Sequence, residues 1–141
     1  KFIFGNHKVG DLNFSYSGIK TSILRVIENG LDKNSKFIEE NIDDLCASIQ
    51  HTIVDILIKK IMKASKEKGI NQIAIAGGVS ANSYLRTRLL ELEQKHNKQV
   101  FIPKFEYCTD NAAMIAISGY YKFLEGKFVN QSITPNSRFS L

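Results

Sequence analysis

The chain has 141 residues, 43% hydrophobic and 23% charged, an ordinary balance for one soluble globular domain able to bury a core. Its longest apolar stretches, Ile73 to Ala76 and Ala112 to Ile117, are far too short to span a bilayer, and no signal-peptide pattern opens the chain. The formal charge of +5 permits contact with nucleic acid without requiring it, and two scattered cysteines, Cys46 and Cys108, point to a reducing compartment rather than a disulfide scaffold.

In chain order, residues Phe2 to Thr21 carry turn residues at Gly5-Asn6 and Gly10-Asp11 and alternation in Leu12, Phe14 and Tyr16. This pattern predicts strands or a hairpin. Gly18 marks a break, after which Ile19 to Glu28 begins a helix that Asn29-Gly30 ends. Next, Ile38, Ile42, Leu45, Ile49, Ile53, Ile56, Leu57 and Ile61 recur at steps of three and four, laying one apolar stripe along a long helix. Gly69 is placed to close it in a left-handed cap. The late lysines of this helix, Lys59, Lys60, Lys63, Lys66 and Lys68, complement its dipole and need no partner.

Gln72 to Ala76 reads as a short buried strand, broken by Gly77-Gly78, with Ser80 able to cap a helix whose apolar positions are Leu85, Leu89 and Leu92. A second strand follows at Gln99 to Ile102, then a loop from Pro103, and a third helix carrying Met114, Ile115 and Phe123. After Gly126, the residues Asn130, Ser132, Pro135, Asn136 and Ser137 suit a loosely packed terminus. Alternating strands and helices predict an α/β layer domain. A sheet this small leaves apolar surface uncovered unless the opening hairpin completes it or a part outside the chain covers it.

Three segments carry chemistry. In AIAGGVSAN, residues 74–82, a strand stops at paired glycines and opens into a helix, which leaves backbone N–H groups facing outward. Gly77 and Gly78 keep side chains away from an approaching ligand, and Ser80 and Asn82 add donors and acceptors for a ribose, base or phosphate. The same residues equally suit a plain strand-to-helix turn. In YCTDNAAMIA, residues 107–116, Asp110 can cap the third helix or present an oxygen to a metal, and Cys108 suits a small buried hydrophobe. The histidines, His7, His51 and His96, share no paired spacing with Asp110. In FSYSGIKT, residues 14–21, Ser17, Gly18 and Lys20 fit an edge strand and turn, with Lys20 able to point at a phosphate or at water.

Together these strings resemble the second half of the TsaD family, long known as glycoproteases or O-sialoglycoprotein endopeptidases. The family pattern runs approximately FSFSGLKT, AGGVSANxxLR and CTDNxAMIA; here the strings are FSYSGIKT, AGGVSANSYLR and CTDNAAMIA, and the likeness extends from Gly10 to Lys122. The resemblance implies an ASKHA fold, the actin-like ATPase architecture of two RNase H-like lobes. On that reading residues 1–125 form the second lobe, 126–141 a tail, and the first lobe lies outside this chain, as an opening at Lys1 rather than Met also suggests.

The resemblance further implies transfer of threonylcarbamoyl from its adenylate to N6 of adenosine 37 in tRNA, in the cytoplasm. Asn82 would contact the nucleotide-like substrate, Gly77 and Gly78 would bring backbone close to it, and Asp110 would give one ligand to a divalent metal, iron or zinc. The implied partners are tRNA, an adenine nucleotide or the adenylate donor, a degenerate ASKHA paralogue and a P-loop ATPase, with no membrane. The family's remaining metal ligands are a histidine pair at i, i+4 spacing, and no HxxxH occurs between Lys1 and Leu141. The chain by itself is therefore expected to be inactive. Three other readings stand beside this one: a non-catalytic ASKHA-like interaction module, a metallopeptidase, for which no HExxH is present, and an ASKHA sugar or acetate kinase.

Overall fold

The computed structural model of the chain describes residues 1–5 and 9–135; Asn6 of the first predicted turn, His7, and Asn136 and Ser137 of the predicted tail lie outside them. The described elements are α1 (Tyr16–Leu31), α2 (Phe37–Lys68), β1 (Gln72–Ala74), α3 (Ser83–His96), β2 (Gln99–Phe101) and α4 (Ala112–Leu124). Helix and strand are mixed as the sequence predicts. No described helix is long and apolar enough to cross a membrane.

The opening corrects the sequence reading: among its described residues there is no strand or hairpin, and FSYSGIKT leads into a helix. Ile19 is buried and Ile23, Val26 and Ile27 are half-buried, a helical stripe that outweighs the short alternation of Leu12, Phe14 and Tyr16. Phe14 and Tyr16 instead stack on each other, with ring centroids 5.5 Å apart. Gly18 and Asn29-Gly30 lie inside α1 rather than breaking or ending it. Gly30 serves a close approach: the ring of Phe37 comes within 2.3 Å of where a Cβ would stand.

α2 is the long helix of the sequence reading, 32 residues or about 48 Å. Its buried face differs in detail. Leu45, Val54 and Ile58 are the deep apolar positions, while Ile38 and Ile42 are exposed. The helix packs against α1 and meets the opening segment along its length, with Phe2 N–H donating to Ser48 Oγ at 3.1 Å and Lys60 Nζ donating to Val9 O at 3.4 Å. In its second half it meets β1 and α3. Gly69 closes the helix as expected, at φ 66°, with Ile70 N–H donating to Ser65 O and Gly69 N–H to Lys66 O.

β1 and β2 pair in parallel, with Ile73 opposite Val100, and α3 forms the crossover between them. One face of this sheet, carrying Ile73, Ile75, Val100 and Ile102, packs with Val54 and Ile58 of α2 and with Leu85, Leu89 and Leu92 of α3. Alternation turns Gln72, Ala74, Gln99 and Phe101 to the other face, where all four are exposed. A polar tie joins the two helices: Asp55 pairs with Lys59 at 2.6 Å and with Arg88 of α3 at 3.7 Å. The Lys59 hydrogen bond, with the charges of Lys59 and Arg88 behind it, holds the Asp55 carboxyl below the usual carboxylate range.

The caps of α3 and α4 differ from the sequence reading by one or two residues. Residues 78–81 form a single 3-10 turn, so Asn82, not Ser80, caps α3, its Oδ1 accepting from Leu85 N–H at 2.9 Å. Asn111, not Asp110, caps α4 and accepts from Met114 N–H at 3.1 Å. In both cases the residue just before the helix has the extended backbone that lets a side-chain oxygen reach back to the third helical N–H. Every residue of α4 is exposed, including Ile115 at 77% and Phe123 at 64%.

Three outcomes follow for stability, each measurable by urea denaturation. Leu89→Ala should cost about 2–5 kcal/mol, because Leu89 is 0% exposed at the centre of the only described core joining sheet and helices. Asn111→Ala should cost about 1 kcal/mol whereas Asp110→Ala should stay within about 0.5 kcal/mol. Asp55 has a folded pKa below its unfolded one, so its contribution is present above the ordinary carboxylate pKa and fades as pH falls through the folded value. Asp55→Asn should therefore lower stability at pH 7 and make it fall less steeply on acidification.

Candidate functional site

The glycine turn is built to hold one shape. Gly77 sits at φ 81° and ψ 175°, a region essentially confined to glycine. The carbonyl it presents then accepts from both Ser80 N–H at 2.9 Å and Ser80 Oγ at 2.6 Å. Ser80 is 1% exposed, so its hydroxyl shapes the turn from beneath. Gly77, Gly78 and Val79 form the exposed outer side, and a Cβ at Gly78 would meet nothing within 4 Å. Asn82 is half-buried and its amide is engaged twice, in the α3 cap and by donating Nδ2–H to Gln50 Oε1 at 3.0 Å. Gln50 is a member of the site neighbourhood that no pattern in the sequence signals.

The second segment follows β2. Phe105–Tyr107 makes a short 3-10 turn that carries Cys108 inward to 2% exposure, as expected for a small buried hydrophobe. The next two residues, Thr109 and Asp110, face outward. Asn111 steadies them, its Nδ2–H donating to Thr109 O at 2.8 Å while its Oδ1 caps α4. Among the described residues Asp110 has no hydrogen bond or ion pair to its carboxylate. It borders an open hollow of about 380 Å³ with Asn111, Ala112, Met114 and Ile115. Asn82 is not among the residues lining that hollow.

Arg86, on the first turns of α3, touches both segments. Its Nε–H donates to Ser80 O and its Nη2–H to Pro103 O, each at 2.6 Å. Nη2 also lies 3.2 Å from Cys108 Sγ, and the guanidinium rests 3.9 Å from the centre of the Phe105 ring. Sequence reasoning places Arg86 in the motif without a task for it; the signal available was an arginine one helical turn after the cap residue.

Ser17 and Lys20 are exposed on α1, and Gly18 is half-buried there. None of the three lines the hollow beside Asp110 or bonds to the 77–82 turn. A larger hollow of about 760 Å³ lies elsewhere, among Lys63, Lys66, His96 and Lys98 near the C-terminal ends of α2 and α3. It shares no residue with the three motifs, and cations at helix C-termini are expected on dipole grounds alone. Among the described residues no group of three or more His, Cys, Asp or Glu side chains is placed to hold a metal ion. Asp110 alone offers one carboxylate, which does not make a metal centre.

Residues 2–117 match a family model described as TsaD, tRNA N6-adenosine threonylcarbamoyltransferase. The chain is 53% identical over 138 residues to a tRNA N6-adenosine threonylcarbamoyltransferase of Christiangramia forsetii, covering 98% of this chain and 41% of that relative. Enzymes of the same name from Riemerella anatipestifer and Porphyromonas gingivalis are 52% and 49% identical, each over 99% of this chain and 41% of the relative. The chain thus spans about two fifths of the length of the curated relatives it matches. With all three motifs inside the matched span, the chain belongs to the TsaD family of tRNA N6-adenosine threonylcarbamoyltransferases.

Proposed function

We propose that this chain is the second-lobe portion of an ASKHA-type enzyme that moves threonylcarbamoyl from threonylcarbamoyl-adenylate to N6 of adenosine 37 in tRNA. In that reaction the adenosine amine forms a bond to the carbamoyl carbon, the bond from that carbon to the AMP phosphate oxygen breaks, and the amine releases a proton as AMP leaves. The contribution of this portion is positional. The open backbone at Gly77 and Gly78 and the Asn82 amide would receive the nucleotide part of the donor, with Ser80 holding the turn in shape from beneath. Asp110 would offer one oxygen to a divalent metal, iron or zinc, whose other ligands come from outside this chain.

One observation carries the reading of Asp110. Asn111 takes the cap of α4, which leaves the Asp110 carboxylate exposed and without a partner among the described residues. An aspartate before a helix usually earns its place as a cap; this one is free for a ligand. Two further observations support a larger parent. Both the whole of α4 and the outer face of the sheet are apolar or mixed surfaces without cover among the described residues. An interaction module without chemistry draws on the same exposed surfaces, so activity and association must be tested apart.

The purified chain, given tRNA and the adenylate donor, should leave tRNA unmodified; efficient modification by this chain alone would overturn the proposal of a partial site. In the full-length parent, Asp110→Ala should lower both bound metal, read by elemental analysis, and tRNA modification, with melting temperature unchanged. Asn82→Ala should weaken donor binding. Normal activity and metal content in the first variant, and normal donor affinity in the second, would support the interaction module instead.

A further inference from the structure

We infer that Arg86 is a positioning residue, the link that holds the Asn82 turn and the Asp110 loop in fixed relation. The inference rests on the proposed roles of Asn82 and Asp110. Arg86 bonds to Ser80 on one side and lies against Cys108 on the other, and each stands two residues before a site residue. Those two contacts are also the deepest points of their segments, at 1% and 2% exposure. The guanidinium therefore grips the anchored base of each segment and leaves its outward end free. Among the described residues no other hydrogen bond joins 77–82 to 103–111, so this side chain is the polar connection between them.

The chemistry of the side chain suits the task. A guanidinium is planar and carries its donors in a rigid fork, so Nε and Nη2 can serve carbonyls of two different segments at a set angle. Its face can at the same time stack on an aromatic ring, here that of Phe105. Lysine has one rotatable ammonium, which cannot span both carbonyls and stack together. Arg86 is itself fixed at its backbone, where its N–H donates to Asn82 O at 3.1 Å. It also borders an open hollow of about 440 Å³ with Leu90, Ile102, Pro103 and Lys104, so a small cation from solvent can reach its place.

The test uses the full-length parent enzyme with tRNA and the adenylate donor. Arg86→Lys should lower kcat by about 10- to 100-fold, since small misplacements of bound groups have effects of that size. The KM for donor should change by less than roughly threefold, because neither substrate-facing group is removed. Ile58→Val, a trim in the core of α2, provides the stability control: its melting temperature should fall at least as far as that of Arg86→Lys while its kcat stays at the parent value. In Arg86→Ala, added guanidinium ion should restore part of kcat.

A parent-like kcat in Arg86→Lys, with Asn82→Ala and Asp110→Ala both impaired, overturns the inference and leaves the site reading intact. So does a loss of kcat that tracks melting temperature equally in Arg86→Lys and Ile58→Val, with no rescue by guanidinium. Parent-like activity in all three site variants overturns the reading of the site, and this inference with it.

Discussion

The covering of one sheet face by two helices is the constraint on which the rest of this chain depends. Two parallel three-residue strands have little stability of their own. They persist because Ile73 enters a cluster formed by Val54 and Ile58 of α2 and by Leu85, Leu89 and Leu92 of α3. Removing these groups from water supplies the driving force, and Leu89 lies at its most enclosed point. Because α3 is also the crossover between the strands, the same burial sets where the strand ends and where the helix begins. The glycine turn at that junction inherits its position from the core.

The two motif segments then divide their work in a common way. In each, one small residue turns inward and secures the loop, while its neighbours face solvent. Ser80 binds back to Gly77, and Cys108 accepts from Arg86 and donates to Lys104 O at 3.4 Å. In each, an asparagine immediately before the helix supplies the cap. The difference lies in what remains outside. The glycine turn leaves open backbone, and the second segment leaves an exposed carboxylate with no partner among the described residues. These are complementary chemistries, one suited to a hydrogen-bonding ligand and the other to a cation.

Among the described residues, α4 and one face of the sheet have no cover. The apolar sequence of α4, AAMIAISGYYKFL, is exposed along its whole length, and Phe101 is exposed on the free sheet face. Surfaces of this kind are rarely left open on a protein that functions alone. The curated relatives that the chain matches are more than twice as long as this chain.

The sequence alone determined the elements whose signals are local and strong. The long helix and its Gly69 closure, both strands, the Leu85–Leu89–Leu92 stripe and the family motifs were all legible, because helical spacing, a left-handed glycine and contiguous strings depend on neighbours along the chain. Where two local signals competed, the chain by itself could not choose. Leu12, Phe14 and Tyr16 alternate like a strand, yet among the described residues no strand forms there, and α1, with Ile19 buried, packs against α2. Only the tertiary structure decided that Asn82 and Asn111 take the caps, that Ser80 lies beneath its turn and that Arg86 reaches across to Pro103 and Cys108. The reach of Arg86 depends on distances between residues remote in sequence, which exist only once the core has closed. The caps and the Ser80 bond each span three residues, and which of several neighbouring candidates makes them follows from where packing starts each helix.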